Sequence, residues 1–114
     1  MAVHATAGLA KAVGTAHADF AAAIGVTAAC ELAAGSAAQA AAGFERAISI
    51  DETAKEAPVI RGAYRWPLAR AQWATGRHAE AIATARTAEQ ELGADADGAI
   101  ARSQAHLWLA AHRR

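Results

Sequence analysis

The side chains of this chain that could do chemistry are few and scattered: His4, His17, His78, His106 and His112, a single Cys30, and carboxylates paired as Asp51–Glu52 and Asp95–Asp97. A zinc site needs several such ligands converging, commonly two histidines one helical turn apart or cysteines at short spacing. No two histidines stand four apart and none joins Cys30 at such a spacing, so no metal and no cofactor is expected. His106 and His112, six apart, point to different sides of a helix. Cys30 follows Ala28 and Ala29 and reads as a small buried filler rather than a nucleophile. The paired carboxylates sit at helix starts, where capping accounts for them without acid–base work. Glu45, Arg46, Glu89 and Glu91 read as solvated helix faces. With no convergent polar set, catalysis is not expected. The set that could act is Trp66, Arg70 and Trp73, whose spacing of four and three places them on one side of one helix. Two indoles flanking a guanidinium could grip an extended peptide, the rings stacking on apolar side chains while Arg70 holds a carboxylate. The competing reading is that both tryptophans pack against neighbouring helices as core.

The elements that must position these residues are helices. Of 114 residues 38 are alanine, and only 23 come from the Val, Ile, Leu, Met, Phe, Tyr and Trp set. Alanine is the best helix former and lets helices approach closely, but it buries little surface. At roughly 25 cal/mol per Å² of apolar surface, such a core is thin, and close helix-on-helix stacking is the economical answer. Strand formers are too sparse for a sheet. Eleven basic and eleven acidic groups cancel. The first 60 residues carry three basic and six acidic groups, the remainder eight and five. No global field recruits nucleic acid or membrane. The arginine bias of the second half suits bidentate anion contacts, although GC-rich coding would also produce it. One cysteine excludes an internal disulfide and agrees with a reducing compartment. No long apolar run is present and the start lacks a basic leader, so a cytoplasmic location is the default expectation.

Glycines punctuate the chain. Gly14 and Gly25 are expected to interrupt its first part, while Gly35, Gly76 and Gly93 each follow a helical pattern where a left-handed cap fits. Ser36 and Gln39 form a capping box, after which Ala37, Ala40, Ala41, Phe44, Ala47 and Ile48 make one apolar stripe ending near Ile50. The next helix is expected from about Ala57 to Thr75, with Pro58 in its first turn and Ile60, Tyr64, Leu68 and Ala71 inward. Pro67 inside it implies a kink, or a helix that starts near Trp66. A helix from Arg77 to about Leu92 turns Ala81, Ala85 and Ala88 inward. In the last helix, capped by Asp95 or Asp97, the inner face is read as Ile100, Leu107, Trp108 and Ala111.

Gly35 and Gly76 lie 41 positions apart, and that shift also superposes Ala28 on Ala69, Ala33 on Ala74, Ala40 on Ala81 and Ala47 on Ala88. Helix, glycine turn and helix therefore recur in register. Leu68, Ala69, Gly76, Ala81, Ala85 and Ala88, with Ala28, Gly35, Ala40, Phe44 and Ala47 before them, resemble the tetratricopeptide repeat pattern. RWPLARAQWATGRHAEAIATARTAEQEL followed by HLWLAAHRR is similar to the last repeat and capping helix behind bacterial serine/threonine kinases. Thr27 and Gln72 replace a large apolar and an aromatic residue of that pattern, and the spacing exceeds the usual repeat of about 34 residues. The kinase phosphate loop and catalytic motifs are missing, so kinase activity does not carry over.

The resemblance implies an all-α solenoid of antiparallel helix-turn-helix units with a C-terminal capping helix. Residues 1–20 would be an N-terminal helical segment, 21–50 a first hairpin, 51–93 a second and 94–114 the cap. It also implies that Ala63, Trp66, Arg70, Trp73 and Ala74 line a concave peptide-binding groove, and that His78 packs in a turn. The expected function is a non-catalytic protein-interaction module with a protein or peptide partner, and with no nucleic acid and no membrane. The alternative is an oligomerising solenoid segment of a larger signalling protein that self-associates through its N-terminal helices.

Overall fold

The computed structural model describes residues 13–93 and 98–112, with side chains from Asp19 onward. Five helices run through them and no strand: α1 (Val13–Ala33), α2 (Ala37–Thr53), α3 (Pro58–Ala74), α4 (His78–Leu92) and α5 (Ala99–His112). Each helix packs chiefly on its neighbours in sequence, with α1 and α5 flanking α3 on either side. This is an all-α arrangement of the helical-repeat kind. Its dimensions are 50 × 31 × 19 Å, the last two helix layers deep. The radius of gyration is 14.8 Å, against about 13 Å for a compact chain of this length. The stack is a slab, not a closed bundle.

Two turns repeat one chemistry. After α1 the Ser36 amide donates to the Glu31 carbonyl (2.8 Å) and the Gly35 amide to Leu32 (3.1 Å). After α3 the Arg77 amide donates to Gln72 (2.9 Å) and the Gly76 amide to Trp73 (3.0 Å). Gly35 and Gly76 hold φ of 90° and 87°, a left-handed cap that satisfies helix-end carbonyls and favours glycine. Lys55 closes α2 in the same way at φ 59°, with Glu56 donating to Asp51 (2.9 Å).

The core divides into two clusters. Ala28 of α1, Ala40, Ala41, Phe44 and Ile48 of α2, and Leu68 and Ala71 of α3 form the first. Trp66 and Ala69 of α3, Ala85 and Ala88 of α4, and Ala105 and Leu109 of α5 form the second. Alanines at most of these contacts are what allow so few large side chains to close both seams.

Several expectations are corrected. Helix α1 passes uninterrupted through Gly14 and Gly25, and across the boundary expected at residue 20. Gly25 is buried, and a Cβ there would lie 2.5 Å from Tyr64 Cε1, so its role is close approach of α1 to α3. Ser36 starts α2 without a side-chain cap bond, and α2 runs past Ile50 to Thr53. Helix α3 has its expected extent, with Ala57 and Thr75 as its caps and Pro67 inside it, so the alternative start near Trp66 is the one set aside. The carbonyl that Pro67 leaves unbonded belongs to exposed Ala63, where water can satisfy it. Ile60 is exposed, and so is Cys30. Helix α5 buries Ala105 and Leu109 and leaves Ile100 and Leu107 77% and 68% exposed, with Ala111 also outward. The caps expected at Asp95 or Asp97, and most of the expected N-terminal segment, lie outside the described residues.

Candidate functional site

Helix α3 presents four different sides, and the expected groove residues divide among them. Tyr64, Leu68 and Ala71 turn to α1 and α2, while Gly62 and Ala69 turn to α4. Ala63, Arg70 and Ala74 are exposed together, separated by seven and four positions that return to one face of a helix. They form an open wall. Trp66 and Trp73 lie on its flank and lean against α5.

Trp66 is 6% exposed. Its Nε1 donates to Gln104 Oε1 at 3.2 Å, and its ring meets Trp108 edge-on at 5.8 Å. It is therefore core that seats α5 on α3, which corrects its expected place as a groove residue. Trp73 is half-buried. Its ring stacks on His78 (3.9 Å) and is met edge-on by Trp108 (5.4 Å) and His112 (4.6 Å). His112 stacks on Trp108 at 4.2 Å, and its Nδ1 donates to the Trp108 carbonyl at 2.8 Å. The packing role expected of His78 is what the geometry displays. The sequence reading missed Trp108, His112 and Gln104 as the partners of the two indoles. The signal was present in the i, i+4 pair Trp108–His112 but belonged to a helix whose inner face was misread.

Arg70 has a distinct environment. Its guanidinium carbon lies 5.2 Å from the Trp66 ring centroid, within cation–π range. Among the described residues it has no carboxylate partner. Desolvation lowers its pKa, yet an arginine stays charged at neutral pH. The two nearest arginines along α3 differ. Arg61 and Arg65 both hold Glu91 of α4, at 3.3 and 2.7 Å, and Arg65 also reaches Glu52 of α2 at 3.4 Å. Burial works against the Arg65 charge, but Glu91 and Glu52 outweigh it and raise its pKa. Glu91, expected to be solvated, is 13% exposed and fixes α4 to α3.

Elsewhere, an open cleft of about 410 Å³ runs along the α1–α2 seam between Ile24, Thr27, Glu31, Gln39 and Arg46. It is apart from the α3 wall and brings together no catalytic set. Among the described residues no three His, Cys, Asp or Glu side chains group closely enough to hold a metal, and no helix is long and apolar enough to cross a membrane.

Asp51, near the end of α2, is 1% exposed with Oδ2 unpartnered, and its pKa is raised by burial first and then by the nearby Glu56. The unfolded chain then releases this proton at lower pH than the fold does, so stability is lost as pH rises from about the ordinary value of 3.8 through the raised one. Asp51→Asn is expected to be more stable than the parent at neutral pH, with the difference vanishing at acid pH below that value. Urea midpoints across a pH series measure it, and an equal gap at every pH would contradict the assignment.

No protein-family model matches the chain, nor does any curated protein or solved structure.

Proposed function

We propose that the chain is a non-catalytic interaction module of the tetratricopeptide kind, binding a peptide or protein segment along the open wall of α3. The observation that carries this reading is Arg70, an exposed guanidinium braced on Trp66 with no carboxylate partner among the described residues. A cation held in place before its ligand arrives loses little freedom on binding. Ala63 and Ala74 on either side leave room for a ligand backbone to lie close. Trp73 at the edge offers the exposed part of its ring to an apolar side chain. The same glycine turn at Gly35 and Gly76, 41 residues apart, and the nesting of successive hairpins support the family reading.

The test uses labelled extended peptides with and without a glutamate, followed by fluorescence anisotropy. Acidic peptides are expected to bind, and Arg70→Glu to weaken them by about tenfold or more, as loss of a charged hydrogen bond implies. Equal binding of neutral and acidic peptides to both proteins would end this reading. Alanine at Trp66 is the wrong probe, because that ring is core.

A second reading, the oligomerising segment, draws on Phe20, which is 51% exposed beside the α1–α2 seam with Arg46 over its ring at 5.2 Å. A mass in light scattering that rises with concentration, and that Phe20→Asp abolishes, would favour it.

A further inference from the structure

Helix α5 repeats the face by which α3 receives α4. The 41-residue shift places Ile100 on Val59, Arg102 on Arg61, Ser103 on Gly62, His106 on Arg65, Leu107 on Trp66 and Ala110 on Ala69. All six pairs keep their chemical type: large apolar, cation, small, basic, large apolar, alanine. On α3 this face is occupied. Gly62 lies so close to α4 that a Cβ would meet Leu92 Cγ at 2.9 Å, Trp66 and Ala69 pack with Ala85 and Ala88, and Arg61 and Arg65 share Glu91. On α5 the face has no helix on it among the described residues. Ile100 and Leu107 are outward, and Arg102 has no carboxylate partner among the described residues. Even the backward contact is kept. Arg65 reaches back to Glu52 of the preceding helix, and His106 Nδ1 reaches back to Glu89 Oε2 at 2.6 Å.

The geometry points to the outer face of α5 as a docking seat for a helix from a partner protein that imitates α4. The occupant has small residues at three- and four-residue spacing, and a glutamate near its C-terminal end that pairs with Arg102 and His106. It runs antiparallel to α5, as α4 does to α3. Leu107 and Ile100 supply the apolar contact and the two basic groups set register. Opposite Ser103 the occupant carries a residue smaller than leucine, because Ser103 has the Cβ that Gly62 lacks.

A second copy of this chain fits less well. Its own alanine-lined, glutamate-bearing helix, α4, is committed to α3. The outward stripe of α1 (Ala22, Val26, Ala29 and Ala33) matches the small-residue spacing of Ala81, Ala85, Ala88 and Leu92. In that register, however, Leu32 stands where Glu91 does, so the carboxylate is missing. This seat is distinct from the α3 wall, and neither reading depends on the other.

The probe is a capped peptide of the α4 sequence, HAEAIATARTAEQEL, carrying Leu92→Ala. It is titrated into the isotope-labelled full chain and followed by amide chemical shifts. Saturable shifts are expected on α5 around Ile100, Ser103, Leu107 and Ala110. Leu107→Asp in the protein should weaken binding more than about tenfold. Glu91→Gln in the peptide should weaken it roughly fivefold. Leu107 is exposed, so the variant keeps its helicity, which circular dichroism verifies. Three results overturn the assignment: no shifts on α5, shifts on the α3 seat through exchange with the protein's own α4, or the same α5 shifts on concentrating the protein without peptide, which would make a second copy the occupant.

Discussion

Trp66→Ala is expected to lower the unfolding free energy by about 3–5 kcal/mol, read from urea denaturation. Small domains hold about 5–15 kcal/mol in all, so the variant should lose from about a fifth to nearly all of its stability. Four contacts disappear together. The indole fills the junction of α3, α4 and α5, and the facing alanines at 69, 85, 88 and 105 are too small to collapse into the space. Its edge-on contact with Trp108 is lost, and Gln104 loses its donor. Arg70 also loses the ring it rests on. Trp66→Phe narrows these contributions, since it keeps most of the volume while removing the hydrogen bond, worth about 1 kcal/mol. A loss below about 1 kcal/mol for the alanine variant would mean that the ring is not core.

The second large effect is expected at Glu91. Glu91→Ala leaves Arg61 and Arg65 half-buried without the carboxylate that both hold, and should cost about 2 kcal/mol. Arg61 keeps its bond to the Glu56 carbonyl at 2.7 Å, and Arg65 keeps the more exposed Glu52, so the loss is partial. Because the pairs are mostly shielded from solvent, the cost should persist at high salt. By contrast the exposed pair of Arg77 with Glu80, at 2.7 Å, should contribute little and be screened. Urea midpoints at low and high salt test both statements. A Glu91 effect that salt abolishes would place that network in solvent.

Much of the fold is legible in the sequence, and particular residues show why. In α2 and α4 the inward positions Ala40, Ala41, Phe44, Ala47 and Ile48, then Ala81, Ala85 and Ala88, are those the helical period selects. There each stripe has one side only. Gly35 and Gly76 mark their turns because left-handed backbone favours glycine so strongly. Helix α5 misled because alanine is compatible with either side. Ala101 and Ala105 go inward while Ile100 and Leu107 stay out, which reverses the usual rule of size. Helix α3 misled for the opposite reason. It is touched on three sides, so no single stripe describes it, and whether Trp66 lines a groove or a seam depends on where a later helix lands. The wall itself, Ala63, Arg70 and Ala74, could be placed from the repeat register. That Arg70 keeps no carboxylate partner among the described residues could not, because the pairing of Arg61 and Arg65 with Glu91 exists only after folding. Glu91 was misread on the same account, since spacing alone cannot tell a solvated carboxylate from a shared one.

Because α3 contributes side chains to both hydrophobic clusters, neither half of the slab can be released while the other stays whole. Peeling α1 and α2 away uncovers Leu68 and Ala71, and peeling α4 and α5 away uncovers Trp66 and Ala69. The central helix thus acts as a keystone, and its amides should be the last in the chain to trade hydrogen for deuterium.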